Sequence, residues 1–495
     1  MMRLGPFTFG YNAVEDKDRR QRPQTRVYHE AEVLTERKRT KLQATAQDQT
    51  RNHSLPAWMV RKHLDYVSKF HFSFRTAANQ SDTRRIALDA LVNRIFRWHG
   101  APRNLDFLGR FGRDELFRFF ELEKVLCGDA GLVKLPDLKL QALESDLIAK
   151  GEELPDGSKV NDSGLLVDEW GRARSFCVCQ RGVNGAKPKY HHMEPAENVI
   201  FDAYWSRFSS QFRGVSPLST AINTVQDIHE GLEFNIVKAK MHALFGIAIM
   251  RDAEGDANMG GAGGATAETE SATATADGST FDINPRAVNV LDLKPGEKAE
   301  VIESGTPSTQ FIEGMYLYVQ IAMLALDIPV TCFDSRRSSF SARIADLNEY
   351  EVSADYKRTK NRYVRQAYSD WVLDSIWNDV ASPWPLREVG EAAGMRLRDV
   401  QENAEWIPSG SPWLDKYAQI QGDQLGIALG LDNPIDAARR RGMDVFDNID
   451  KLAQVQSYAK ERGVAIQVGT LNDRTIGDVV REEVSRQKNQ EQEDE

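Results

Sequence analysis

Residues 311–350 constrain the fold of this chain more than any other stretch. They open with a compact apolar segment, FIEGMYLYVQIAMLALDIP, whose spacing predicts a helix that breaks at Pro329. An Arg/Ser-rich loop follows, TCFDSRRSSFSARI, and then a long charged segment that predicts a second helix. No acid lies between Asp334 and Asp346. The same interval contains three arginines, Arg336, Arg337 and Arg343. Two helices that bracket a cationic, hydroxyl-rich loop indicate a part that presents the loop to a polyanion, not a catalytic pocket.

Length and charge bound the remaining possibilities. The chain has 495 residues, too many for one compact core, so two to four domains are expected. Its composition is 41% hydrophobic and 27% charged, and its formal net charge is −10. A protein that coats nucleic acid is usually basic, so any contact with nucleic acid must use local patches on an acidic body. An acidic wall repels phosphates and favours passage over a tight grip.

Cysteine usage and hydropathy indicate a reducing compartment and no membrane span. Four cysteines are too few for a disulfide framework in a chain of this length. Cys177 and Cys179 would point the same way on a strand but are poorly placed to bond each other. The N-terminus has no apolar core of signal-peptide type. The most apolar window, 315–328, is shorter than the roughly 20 residues that a span needs.

The pattern along the chain predicts a mixed α+β, mainly helical protein. Residues 1–54 are expected to form an extended polar arm, partly helical, whose basic clusters at 19–22 and 37–41 are either solvated or a nucleic-acid patch. Two helices are expected within 56–99 and one within 111–125. A hairpin is expected from 164–167 and 175–179. A low-complexity insert at 254–280 precedes two short strands that flank the turn at 295–296, and three helices follow from 411. The last fifteen residues predict a disordered tail.

A long helix should begin near residue 217. Ser216 is a good N-cap, and Pro217 suits the first helical position. The expected core stripe is Leu218, Ile222, Val225, Leu232 and Ile236. Lys238 lies on the opposite face and is expected to be exposed.

Motifs of catalysis and metal binding are absent or incomplete. There is no Walker A or GxSxG pattern, and HEGLE has Glu233 where a zinc-protease helix needs its second histidine. Cys177, Cys179, His191 and His192 lack the spacings of structural zinc sites, so buried cysteines and surface histidines are the favoured interpretation. The sequence predicts no catalytic residue, no metal site and no cofactor. It therefore predicts a protein that is not an enzyme.

Four motifs in order carry a family resemblance: RGVSPLSTAINTVQDIHEGLEFNIVKAK, LKPGEKAEVIESGTPSTQFIEGMYLYVQIAMLALDIP, FSARIADLNEYE, and IPSGSPWLDKYAQIQGDQLGIALGL with ARRRGMDVFDNIDKLA. With these motifs the chain resembles the lambda-type portal proteins of tailed bacteriophages over most of residues 51–465. It departs from the family pattern at Asp327, where a glycine is usual, and at Phe340, where a serine is usual. The insert at 254–280 has no counterpart in that pattern.

The resemblance implies a portal fold and a ring, usually of twelve subunits, closed by a head-to-tail interface. It assigns parts to an N-terminal arm (1–54), a wing (55–215) with a long wing helix (342–382), stem helices (216–245 and 309–328), a clip (246–308), a tunnel loop (329–341), a C-terminal helical crown (383–480) and a tail (481–495). The basic run on the wing helix, Lys357, Arg358, Lys360, Arg362 and Arg365, is expected to face neighbouring subunits.

The resemblance also implies a function without catalysis. The ring would stand at the portal vertex of the virion, assembled in the host cytoplasm, as the channel for double-stranded DNA entry during packaging and exit at ejection. Its implied partners are the large terminase ATPase, the major capsid and scaffold proteins, and the neck or adaptor proteins. Two alternatives stay open: a DNA-processing enzyme such as a nuclease or motor subunit, and another ring-forming head–tail adaptor.

Sequence-independent contact with DNA would fall on the tunnel loop. The candidate channel-lining residues are Ser335, Arg336, Arg337, Ser338, Ser339, Ser341 and Arg343, with Lys238 as a second candidate on the stem. For Arg343 a cap or ion pair on the wing helix is the competing interpretation.

Overall fold

A computed structural model describes residues 27–76, 82–152, 159–182, 188–208, 210–244, 247–251, 297–301, 307–379, 382–410 and 416–464. Within these residues the fold is mixed α+β and mainly helical, which confirms the predicted class. The calls on residues 1–26, on the insert at 254–280, on the strand before 295–296 and on the tail at 481–495 lie outside the described residues.

The helices are α1 (Glu30–Val33), α2 (Glu36–Asn52), α3 (Ser54–Val67), α4 (Thr83–His99), α5 (Pro102–Leu105), α6 (Arg113–Cys127), α7 (Ile222–Leu244), α8 (Thr309–Met323), α9 (Phe340–Asn378), α10 (Leu386–Ala392), α11 (Leu397–Glu402), α12 (Lys416–Ala428), α13 (Pro434–Arg440) and α14 (Val445–Glu461). The strands are β1 (Phe70–Phe74), β2 (Asp129–Lys134), β3 (Leu140–Leu143), β4 (Leu165–Val167), β5 (Ala173–Gln180), β6 (Lys189–Pro195), β7 (Val199–Ala203), β8 (Ile247–Arg251), β9 (Glu297–Val301) and β10 (Ala404–Pro408).

The strands form small antiparallel sheets, in the orders β1-β10, β3-β2-β7, β4-β5-β6 and β8-β9. The predicted hairpin is present as β4 and β5, in which Leu165 pairs with Phe176. Cys177 and Cys179 are both buried on β5, and both are free thiols. Strand β9 pairs with β8, which lies before the insert, so these two strands bring its flanks together.

The largest core joins segments that are far apart in sequence. Strand β1 pairs with β10, with Phe72 opposite Trp406, and Trp406 is buried against the C-terminal half of α9. Helices α10 and α11 contribute to the same core through Leu386 and Val400. Residues 386–408 therefore pack in the same core as residues of the expected wing. The three helices expected from 411 are present as α12, α13 and α14.

The expected solvated arm instead contains a packed helix. On α2, Arg39 is buried and its guanidinium donates to the Ile148 carbonyl at 3.1 Å. Gln43 donates to the Ser145 hydroxyl at 2.8 Å, and Gln49 donates to the Ile222 carbonyl at 2.9 Å. These buried polar side chains hold the helix together with the buried apolar side chains of Leu42 and Ala46, so its sequence resembles that of an exposed segment.

His99 gives the main core a pH dependence. Its ring is buried between the Tyr368 hydroxyl and the Leu138 carbonyl, each 2.6 Å from a ring nitrogen. Burial lowers the pKa of His99 from 6.5 to about 4. As the pH falls below 6.5 the unfolded chain binds a proton at this position, whereas the folded chain does not until about pH 4. Stability is therefore lost over that window as the pH falls.

We expect His99→Gln to remove part of this dependence. Between pH 7 and pH 5 the variant should lose about 2 kcal/mol less unfolding free energy than the wild type. Urea titrations at the two pH values measure the difference. His63 is also buried with a lowered pKa, but it is present in both proteins, so its contribution to the pH dependence cancels in the comparison. Equal losses in the two proteins would contradict the assignment to His99.

Candidate nucleic-acid interface

The helix expected near residue 217 begins as predicted, with a 3₁₀ turn at Pro217–Thr220 before α7. The Ser216 hydroxyl accepts from the Leu218 amide at 3.1 Å and donates to the Val125 carbonyl at 2.6 Å. It thus caps the helix and ties it to α6.

The predicted core stripe on α7 is buried only in its first half. Ile222 and Val225 are buried, whereas Leu232 and Ile236 are about half exposed. Helix α8 packs beside α7, with Gly231 facing Met315. The predicted spacing agrees with the buried first half of the stripe. Within the described chain, no other side chains bury its second half. Lys238, on the opposite face, is exposed.

Arg213 anchors the start of α7 in a buried polar cluster that sequence reasoning missed. Its guanidinium contacts both carboxylate oxygens of Asp129 at 2.7 Å. It also donates to the carbonyls of Ile148 at 2.6 Å and Ser145 at 2.8 Å. Both members of the pair are almost fully inaccessible. The RG of the RGVSP motif would have been the signal, because a buried arginine needs a buried acid.

Gly214 explains the second position of that motif. A Cβ at Gly214 would lie 1.9 Å from the Gly128 carbonyl oxygen, and Gly128 itself has φ +97°. The amide of Gly214 donates to Asp129 at 2.9 Å. Only glycine allows the chain that leads into α7 to lie this close to the junction between α6 and β2.

Asp327 terminates the segment that follows α8. After a 3₁₀ turn at Leu324–Leu326, it adopts φ 59° and ψ 22°, the left-handed region that glycine adopts most readily. Asp327 accepts from the Ser353 hydroxyl at 2.7 Å and from Lys357 Nζ at 2.8 Å. Burial alone would raise the pKa of Asp327, but these hydrogen bonds lower it below its ordinary value. The aspartate therefore links the end of this segment to α9.

The expected tunnel loop contains two short 3₁₀ turns, Val330–Cys332 and Ser335–Arg337. Asp334 caps the second turn by accepting from the Arg336 amide at 3.0 Å. Ser339 caps α9 by accepting from the Ala342 amide at 3.2 Å. Helix α9 begins at Phe340 and ends at Asn378, not at 342 and 382 as expected. Ser341 and Arg343 therefore belong to its first turn.

The three arginines of this region have different surroundings. Arg337 lies against α8, where its guanidinium is 3.0 Å from Glu313 and 4.2 Å from the centre of the Tyr316 ring. Arg336 is exposed and enters no ion pair among the described residues. Arg343 lines a cleft of about 770 Å³ together with Lys62, and it too has no acidic partner within the described parts of the chain.

The predicted serines also separate. Ser335 and Ser341 are exposed, Ser338 is half-buried with its hydroxyl 3.4 Å from the Ser335 carbonyl, and Ser339 is occupied as a helix cap.

The basic run on α9 is largely directed into its own chain, which corrects the expectation of neighbour contacts. Arg358 is buried and donates to the Tyr66 carbonyl at 2.7 Å, with Glu351 as its ion-pair partner. Arg365 is buried, donates to the Ser68 carbonyl at 2.7 Å and lies 4.2 Å from the Phe70 ring centre.

No group of three or more His, Cys, Asp or Glu side chains is placed to hold a metal ion in the part of the chain that the structure describes. Among the same residues, no helix has the length and apolar character of a membrane span.

Comparison with known proteins gives a family and several structural likenesses. The family model described as phage portal protein, lambda family, matches residues 17–355. A chain of the virion of a native gene transfer agent (GTA) particle is similar with 12% identity and a TM-score of 0.39, over 82% of this chain and 93% of that chain. A chain in the neck of an empty GTA particle, computed with C6 symmetry, has 13% identity, the same coverage and a TM-score of 0.39.

A chain in the neck of a native GTA particle, computed with C12 symmetry, has 12% identity and a TM-score of 0.39, over 83% of this chain and 95% of that chain. No curated protein matches the sequence. The family match extends over more than half of the sequence, and the chain therefore belongs to the lambda family of phage portal proteins.

Proposed function

We propose that copies of this chain close into a ring, of twelve subunits, at one vertex of the capsid. Double-stranded DNA passes through the ring during packaging and at ejection. The ring has no catalysis of its own. The large terminase docks on the segment 246–308, and neck proteins replace it when packaging ends. Capsid and scaffold proteins contact the outer parts of the ring. Membership of the portal family supports this role.

The apolar character of α8 on two opposite sides is the observation that carries the ring. Ala322 and Met323 are buried against the chain's own core. On the other side, Leu317 and Ile321, which are one helical turn apart, are 54% and 46% exposed. Exposed apolar side chains grouped on one side of a helix are typical of an interaction surface, and we infer that a second copy of the chain covers them. A head-to-tail contact of this kind generates a ring when the rotation closes.

The exposed cations near the start of α9 supply the proposed contact with DNA. Arg336 and Arg343, with the hydroxyls of Ser335 and Ser341, are exposed and not committed to ion pairs within the described chain. Repeated around a ring, they form a cationic girdle that contacts phosphates and ignores sequence. Arg337 and Ser339 act instead to fix the loop, because their side chains are held by Glu313 and by the Ala342 amide.

Electron microscopy of the purified protein tests the ring directly. Class averages down the symmetry axis should show a closed ring with a hole wide enough for duplex DNA. The ring should neither hydrolyse ATP nor cut DNA. A compact monomer that hydrolyses ATP, or that cuts DNA in a metal-dependent way, would contradict the proposal.

Arg336→Ala and Arg337→Ala should separate the two roles. We expect Arg336→Ala rings to assemble normally but to package about tenfold less DNA, because the girdle loses phosphate contacts. Arg337→Ala should release the loop from α8, which faster amide hydrogen exchange at residues 330–339 would report.

Glu313→Gln is the matched control for Arg337→Ala, since it removes the same ion pair without touching the loop. It should reproduce the exchange result of Arg337→Ala and not the packaging defect of Arg336→Ala. If Arg336→Ala packages like the wild type, the girdle assignment is wrong.

A further inference from the structure

An aromatic groove lies beside residues 29–31. It has a volume of about 560 Å³, within the range of ligand-sized clefts. Its apolar wall comes from Phe176 on β5, Phe201 on β7, and Trp205, Phe208 and Phe212 in the loop after β7. Phe176 and Phe201 have ring centres 5.0 Å apart, and Phe208 is fully exposed. This is an apolar surface that the described chain leaves uncovered.

The groove wall is preformed by one buried glutamine. The Gln211 side-chain oxygen accepts from the Ser206 amide at 2.8 Å and from the Arg207 amide at 3.1 Å. Its side-chain nitrogen donates to the carbonyls of Tyr204 at 3.1 Å and Arg213 at 2.9 Å. These hydrogen bonds hold the backbone at Tyr204–Arg207 and at Arg213, so a partner can bind to this part of the wall without first ordering it.

Residues 29–31 contact that same loop. The Ala31 amide donates to the Ser210 carbonyl at 3.0 Å, and Glu30 lies 3.9 Å from the Arg207 guanidinium. The His29 ring lies 5.9 Å from the Phe212 ring. Residues 29–31 therefore lie next to the groove.

The N-terminal residues contain one uncharged segment that suits the groove. Residues 4–11 read LGPFTFGY, inside an otherwise strongly charged arm. Phe7, Phe9 and Tyr11 are spaced two residues apart, which places three rings on one side of an extended chain. Residues 12–26 span at most roughly 50 Å, ample for a return to the adjacent groove.

We propose that residues 4–11 dock in the aromatic groove of their own subunit. The aromatic side chains of Phe7, Phe9 and Tyr11 cover Phe201, Trp205 and Phe208. Docking turns the N-terminal arm back onto the face formed by β4, β5 and β7, and removes the apolar groove from water.

Photocrosslinking in the full-length protein tests the docking. A photoreactive phenylalanine derivative at position 208 keeps the ring and disturbs no core, because Phe208 is fully exposed. Mass spectrometry should find its crosslinks within residues 4–11. The matched control is the same derivative at Phe119, an exposed aromatic residue in a different groove, which should not react with residues 4–11. Equal reaction at the two positions, or none with residues 4–11 from position 208, would overturn the proposal.

Isotope labelling decides which copy supplies the segment. Light and heavy protein are mixed before assembly, and crosslinks within one chain carry a single label. Single-label crosslinks support docking in the same subunit, whereas crosslinks found only between light and heavy chains overturn it.

A binding measurement gives an independent check. A labelled peptide of residues 2–13 should bind the chain lacking residues 1–12 at least tenfold more tightly than the full-length chain, whose groove is filled. A peptide with Phe7→Ser and Phe9→Ser should lose that binding. Equal affinity for the truncated and full-length chains would show that the segment does not occupy the groove.

Discussion

Replacement of Arg213 by methionine is expected to lower the free energy of unfolding by about 3–5 kcal/mol. The side chain is the buried ion-pair partner of Asp129, and its removal leaves that carboxylate with only the Ser145 hydroxyl and the Gly214 amide as hydrogen-bond donors. The carbonyls of Ser145, Ile148 and Ser163 would lose a donor in addition. Because these groups join β2, the loop before β4 and the approach to α7, the loss should loosen the attachment of α7 to the rest of the chain.

Urea unfolding of the purified chain, followed by circular dichroism, measures this loss. Arg181→Met is the matched control. Arg181 pairs with Glu144 and Asp146 in the same neighbourhood, but its side chain is more than half exposed, so its loss should cost less than about 1 kcal/mol. Asp129→Asn should fall in the same range as Arg213→Met, and the double variant should cost less than the sum. Similar effects at Arg213 and Arg181 would contradict the argument.

Two aspartates on the outward side of α8 should abolish the ring without unfolding the subunit. In Leu317→Asp with Ile321→Asp, charges replace apolar side chains that would be buried between copies. Each large apolar side chain buried at such a contact contributes about 1.5–3 kcal/mol, and every interface of the ring contains both. Because the two residues are about half exposed in a single chain, the monomer should melt near the wild-type temperature.

Native mass spectrometry and thermal melting measure the two halves of that expectation. Ile86→Asp is the control, since Ile86 is comparably exposed but lies on α4, away from the α7–α8 pair. Rings that persist in the double variant would show that this side of α8 is not the contact. A large loss of monomer stability would show that the side is covered within the chain.

Locally encoded elements could be predicted from the sequence. The strong three- and four-residue spacing of α3, α4 and α6, the hairpin of β4 and β5, and the cap at Ser216 depend on neighbours in the chain. The substitution of aspartate at 327 was visible as a departure from the family. Only the structure shows what Asp327 does, which is to adopt a left-handed backbone conformation and to accept hydrogen bonds from Ser353 and Lys357.

Features that depend on distant partners could not be predicted. Strand β10 pairs with β1 more than 300 residues away, and nothing local distinguishes AEWIP from a linker. Helix α2 and Arg213 bury polar groups, which a sequence reader assigns to solvent by default. For the candidate site, the sequence named the three arginines as candidates, but only the structure separates Arg337, held by Glu313, from Arg336, which enters no ion pair among the described residues.

Helix α9 acts mechanically as a strut. Its 39 residues extend over roughly 58 Å. From Tyr350 onward one side of the helix is buried in two cores, whereas no side chain between Phe340 and Glu349 is buried. The loop before Phe340 is therefore attached to the end of α9 that is not buried in a core. The ion pair between Asp327 and Lys357 holds the side of the helix. A small rotation of the buried half of α9 would therefore produce a larger displacement at its first turn, and in the proposed ring it would move Arg336 and Arg343.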